Sequence, residues 1–183
     1  MDHGKSGREA ALITYSAAWQ LQMICRSCRT GKSKKEIKER KKRMSKVAVV
    51  YWSGTGNTET MANAVAEGVQ GKGAEAVMIG PSDFTADSVT EYDGIAFGCP
   101  AMGAEQLEEA EYQPMWDDVK GALAGKKIAL FGSYGWGDGE WMRLWEDEAR
   151  DAGADLVVES VMANNEPDDD AIEACKALGA ALA

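Results

Sequence analysis

The sequence predicts an α/β domain with a doubly wound parallel sheet, and three observations carry that expectation. From residue 46 onward, apolar runs of strand length alternate with segments whose apolar residues recur at helical spacing. The runs are apolar at nearly every position, as strands covered on both faces must be, whereas a half-exposed antiparallel strand would alternate. The turns after the first, third and fourth runs are crowded with glycines and hydroxyl side chains, and ligands of such sheets lie beyond the carboxyl ends of the strands where strand order reverses.

Taken in order, Val47-Ala48-Val49-Val50-Tyr51-Trp52 forms the core of a first strand over 46–52. A Gly-rich turn leads into a helix over 57–70, where Met61, Ala62, Val65, Ala66 and Val69 share one face and Gly71 and Gly73 mark the end. Residues 75–79 make a second strand, and Gly94-Ile95-Ala96-Phe97-Gly98-Cys99 a third, stopped by Pro100. A helix over 112–123 follows. Residues 127–133 form the fourth strand, 140–151 a helix, 155–161 the fifth strand and 168–181 the closing helix. Five strands interleaved with helices require right-handed crossovers and a parallel sheet.

Length and charge bound the function. A chain of 183 residues suits one domain with a full core, and no run approaches the roughly 18–20 apolar residues that a bilayer requires. Residues 1–44 carry 12 Lys/Arg against 4 Asp/Glu, whereas residues 45–183 carry 8 against 26, net charges of +8 and −18. So acidic a body repels nucleic acid and anionic membranes and meets partner proteins through their basic surfaces. The domain is expected over 45–183. Residues 1–44 are expected to be a basic extension, disordered or non-native, with Met44 as the natural start, because the charge-dense run 32–43 has little apolar area to bury. Cys25-Arg26-Ser27-Cys28 supplies only two of four zinc ligands, and Gly31-Lys32-Ser33 lacks both the leading glycine and the preceding strand of a triphosphate loop. Four cysteines without a regular framework, and no signal-peptide pattern, point to a reducing cytoplasm.

The candidate site lies in three loops. Ser53-Gly54-Thr55-Gly56-Asn57-Thr58 opens directly into a helix, so successive N–H groups form an anion cradle. It contains no Lys or Arg, and its spacing, G-x-G-x-x-E, matches neither a triphosphate loop nor a dinucleotide fingerprint. A monophosphate held by neutral donors fits. After the third strand comes Gly98-Cys99-Pro100-Ala101-Met102-Gly103-Ala104-Glu105, and after the fourth Gly132-Ser133-Tyr134-Gly135-Trp136-Gly137-Asp138-Gly139.

These three loops, in this order, resemble those of the flavodoxins, nearest to the short-chain type of anaerobic bacteria, and the likeness spans 45–183. It implies a flavodoxin-like three-layer fold with a five-stranded parallel sheet in the order 2-1-3-4-5. It also implies one non-covalent FMN; flavodoxin is itself the standing example of the switch-point rule, so this placement of the cofactor comes from the resemblance. On the same basis Ser53, Gly54, Thr55, Gly56, Asn57 and Thr58 hold the phosphate. Met102 and Trp136 cover the two faces of the flavin ring, a polarizable thioether and a large indole both suiting that task. Gly103 is similar to the glycine whose peptide turns over on reduction, and Glu105 to the carboxylate that accepts from the pyrimidine N–H. Ala101, Ala104, Ser133, Tyr134, Gly135 and Gly137 complete the expected cofactor-binding set. Pro100 cannot donate from its backbone, and Ala104 is uncharged, which leaves the redox potentials open.

The implied function is a low-potential one-electron carrier shuttling between semiquinone and hydroquinone, monomeric and docking to basic redox partners. Each carboxylate about 10 Å from an anionic reduced flavin opposes it by roughly 0.4 kcal/mol, about 18 mV for one electron, less salt screening. The body holds no histidine, the single one being His3, so Cys99 has no base to activate it. An FMN-dependent quinone reductase of the same fold is the alternative, but 139 residues leave little room for a second pocket. A receiver domain would need an aspartate where Cys99 and Pro100 stand.

Overall fold

Successive side chains of a strand point to opposite faces, and this sorts the apolar runs onto two sides of one sheet. The structure, a computed structural model, describes residues 44–183. Its strands are β1 (Lys46–Tyr51), β2 (Glu75–Ile79), β3 (Gly94–Gly98), β4 (Lys127–Tyr134), β5 (Asp155–Leu156) and β6 (Val161–Asn164); its helices are α1 (Asn57–Gly71), α2 (Tyr112–Val119), α3 (Glu140–Asp151) and α4 (Asp169–Leu182). All strands pair in parallel in the order β2-β1-β3-β4-β5, with β6 also beside β4. The order reverses at β1 and β3, as expected.

Ala48 and Val50 face one side with Ile95, Phe97, Ile128 and Leu130, beneath an aromatic layer that includes Trp116, Trp141 and Trp145. Val47 and Val49 face the other, where Ala96, Ala129 and Phe131 meet the small residues of α1 and α4. Burial on both faces is why the strands are continuously apolar.

Two elements differ from expectation. The helix over 112–123 narrows to a 3-10 turn over Lys120–Ala122 after Val119. The single fifth strand over 155–161 is two pieces: Ile128 is aligned with Leu156, but Phe131 with Val161, so three steps along β4 match five along its neighbour. The two extra residues leave the ladder as a bulge. Val157 still donates to the Ile128 carbonyl at 3.1 Å, after which Ser160 turns its hydroxyl to the Glu146 carboxylate on α3. The sheet therefore has six strands rather than five.

No helix among the described residues is long and apolar enough to cross a membrane. The basic extension, apart from Met44, lies outside the described residues, and with it His3, Cys25, Cys28 and the Gly31-Lys32-Ser33 run.

Candidate functional site

Three loops leave the carboxyl edge of β1, β3 and β4, and hydrogen bonds fasten them to one another. In the first, Gly56 takes a left-handed conformation (φ 94°) and caps α1 without a side-chain hydrogen bond. Its N–H donates to Ser53 Oγ at 3.1 Å, and its carbonyl accepts from the N–H and hydroxyl of Thr60 at 2.9 and 3.0 Å. The N–H groups of Asn57, Thr58 and Glu59 are the first of the helix and have no intrahelical acceptor. They form a cradle of neutral donors at the positive end of the helix dipole. At Gly54 a Cβ would stand 2.9 Å from the far end of the Trp52 ring, so a larger residue there would have to displace that indole.

Two hydroxyls expected at the cofactor turn inward. Thr58 Oγ1 and Ser133 Oγ pair with each other at 3.1 Å, both buried, and this bond ties the cradle to β4. That bond uses the proton of one hydroxyl and leaves the other hydroxyl's proton and the Thr58 backbone N–H free of it.

The second loop folds as a short hairpin. Met102 and Gln106 exchange backbone hydrogen bonds at 2.8 and 2.9 Å around Gly103 and Glu105, which both have left-handed φ (49° and 52°). Ala101 extends the β3–β4 pairing by donating to the Ser133 carbonyl at 2.9 Å. Met102 at the tip is exposed, as are Gly103 and Ala104.

Glu105 is buried, and it joins this hairpin to the third loop. One carboxylate oxygen accepts from the Asp138 N–H at 2.6 Å and the other from the Trp141 N–H at 3.3 Å, so it caps α3 from a distant part of the chain. The contact depends on Gly137, where any Cβ would overlap that carboxylate oxygen. The resemblance assigns Glu105 to the ligand, and the structure adds this bracing role. Each carboxylate oxygen retains a lone pair, so the strut and a ligand bond are compatible.

In the third loop Trp136 stands 54% exposed between Gly135 and Gly137. A large indole left in water at a loop tip is no core residue. Behind it, Tyr134 packs on Trp141 with ring centroids 5.5 Å apart, and Trp141 Nε1 donates to the Cys99 carbonyl at 3.4 Å. The segment after β6, which sequence reasoning missed, closes the side of this loop: Asn165 N–H donates to the Tyr134 carbonyl at 2.7 Å. The Asn164-Asn165 pair was its only signal, asparagine being tolerant of the left-handed φ of 62° found at Asn165.

Cys99 is not poised as a nucleophile. Burial pushes the Cys99 thiol up to about 12, outweighing the hydrogen bond that its sulfur receives from the Glu108 N–H. The thiol stays protonated and inert.

A family model described as Flavodoxin matches residues 49–179. The chain belongs to the flavodoxin family. It is 47% identical to the flavodoxin of Megasphaera elsdenii over 137 residues, covering 75% of this chain and 98% of the relative. It is 46% identical to that of Clostridium beijerinckii over 121 residues, covering 66% and 88%. The solution structure of two-electron reduced Megasphaera elsdenii flavodoxin superposes with a TM-score of 0.69 at 46% identity, covering 74% of this chain and 97% of that one. An archaeal flavodoxin gives a TM-score of 0.66 at 29% identity. The flavodoxin-like fold and the short-chain resemblance are thus borne out.

Proposed function

We propose that this chain is a low-potential one-electron carrier built on one non-covalent FMN, the cofactor of its family, and cycling between the half-reduced and fully reduced states of that cofactor. The observation that carries the reading is a single sheet edge where a neutral anion cradle and two exposed apolar side chains, each beside a glycine, stand on mutually fastened loops.

The backbone N–H groups of Asn57, Thr58 and Glu59, with the hydroxyls of Ser53 and Thr55, hold the phosphate without a cationic side chain. Met102 and Trp136 cover the ring and exclude water from it. Ala101, Gly103, Ala104, Tyr134, Gly135 and Gly137 supply backbone and space around its edge. Glu105 accepts from the pyrimidine N–H with a remaining lone pair while holding the two loops at their spacing. Gly103, with no atom near its missing Cβ, lets its peptide turn over at little steric cost. Bound FMN supplies a centre that takes up and releases electrons singly. The chain then contributes a negative body that disfavours the anionic reduced form and attracts the basic surfaces of redox partners. We further read the protein as a monomer of the reducing cytoplasm, its two described cysteines being free and buried.

Stepwise reduction of the FMN-loaded protein, followed by absorbance, tests this. A distinct half-reduced spectrum between the oxidised and fully reduced ones is expected, with the second potential rising as salt screens the carboxylates. Direct two-electron reduction, with steady NAD(P)H oxidation by a quinone, would replace the carrier with a reductase.

A further inference from the structure

Beside the site, a groove of about 360 Å³ lies between the 105–109 turn, α2 and α3. Leu144 supplies its exposed apolar surface over the buried Trp141 and Trp145, and Glu105, Glu109 and Glu148 bring three carboxylates to it; no Lys or Arg lines it. Leu144 is 54% exposed, a large apolar side chain at the lip.

We propose that this groove is a socket for one arginine side chain on the surface of a redox partner. The inference rests on the carrier reading and adds the place and chemistry of docking. A long basic side chain has an apolar stem and a charged head, and the groove offers both kinds of surface. A guanidinium suits it better than an ammonium, because its planar fork can engage two carboxylates, those of Glu109 and Glu148, at once. The carboxylate of Glu109 has no protein partner among the described residues. Glu148 accepts from Trp116 Nε1 at 2.9 Å and meets the nearest cation, Lys120 Nζ, only at 3.9 Å. Glu105 is committed to the Asp138 and Trp141 N–H groups and contributes its charge.

Position gives the socket its use. Glu105 belongs to the groove and also to the strut between the Met102 hairpin and the Trp136 loop, and Trp141 packs beneath Tyr134. A side chain seated there sets the partner's surface beside both tips. The overall negative charge attracts basic proteins without choosing an orientation; a shaped socket chooses one.

The test uses the full-length, FMN-loaded protein with N-acetylarginine amide as probe, followed by the indole N–H signals of Trp141 and Trp145 in NMR spectra. Trp145 is the sharper reporter, because its N–H has no acceptor among the described residues. Saturable shifts centred on these two indoles are expected, weaker with the lysine amide and absent with the norleucine amide. Glu109→Gln combined with Glu148→Gln weakens binding about three- to tenfold, the new amide oxygen at 148 still accepting from Trp116. With a basic haem protein as electron acceptor, that pair slows reduction more than Glu67→Gln with Glu173→Gln. The latter pair removes equal charge around Lys176, on the α1 and α4 side. Unmoved indole signals, equal response to the norleucine amide, or equal slowing by the two pairs would overturn the socket. Wild-type protein that takes up no FMN by absorbance would overturn the carrier reading instead, and the indole shifts would still measure the socket by itself.

Discussion

The two sides of the sheet are packed by opposite means. On one, α2 and α3 bring Tyr112, Trp116, Trp141 and Trp145 against Phe97, with edge-to-face pairs such as Phe97–Trp116 at 5.3 Å and Trp116–Trp145 at 5.6 Å. On the other, α1 and α4 cross so closely that a Cβ on Gly68 would lie 2.0 Å from the Lys176 carbonyl oxygen, and one on Gly179 2.0 Å from that of Val65. The difference matters because the aromatic side also carries the base of two site loops. Trp141 is both a core side chain and the donor to the Cys99 carbonyl, whereas the glycine crossing touches no loop of the site. Damage to the aromatic side should therefore cost stability and cofactor together, and damage to the glycine side stability alone.

Trp141→Ala puts the largest strain on this contrast. Truncating a tryptophan 2% exposed should lower unfolding free energy by about 3–5 kcal/mol. It also removes the support under Tyr134, so FMN affinity measured on the folded fraction should fall about tenfold, the loss of roughly one net hydrogen bond. Denaturant titration and flavin fluorescence quenching read the two effects. Full retention of affinity would show that the loops stand without the aromatic base.

How far the sequence carried can be judged from the same residues. The strands of both faces were legible because burial on two sides leaves an unbroken apolar run, as in Val47–Val50. The split of the fifth strand was not, since Val157-Val158 and Val161-Met162 look continuous and only register against β4 exposes the bulge. The loop tips Met102 and Trp136, each beside a glycine, were legible as chemistry at loops. What Glu105, Thr58 and Ser133 bond to was illegible, because each partner lies more than thirty residues away and meets it only once the loops converge.

Gly179→Ala probes the other side with a smaller effect. Replacing a helical glycine favours the helix by about 1 kcal/mol, but here the methyl would press on backbone that cannot swing away. Overpacking should win, leaving a net loss of about 1–3 kcal/mol. Val65 is about two turns along α1 from the cradle at Asn57, so FMN affinity of the folded protein should stay within about twofold. A fall matching that of Trp141→Ala would erase the distinction between the two sides.

The finest test separates a loop carboxylate that serves the aromatic side from its acidic neighbours. Of the acids at 105, 108, 109 and 111, Glu108 alone caps α2, accepting from the N–H groups of Ala110, Glu111 and Tyr112 at 2.8, 2.8 and 3.0 Å. Burial works against its ionisation, yet those three N–H groups prevail and hold its carboxyl below the ordinary value. A folded value lower than the unfolded one means that its contribution is complete above the ordinary carboxylate range and is lost as pH falls through the lowered value. Glu108→Gln should therefore cost about 1 kcal/mol at neutral pH, as lost caps do. The difference from wild type should shrink as the pH falls out of the ordinary carboxylate range and through that lowered value, where the native carboxyl also becomes neutral. Urea titrations of both proteins across that range decide it: a gap that stays constant with pH would mean that shape at position 108 matters and its charge does not.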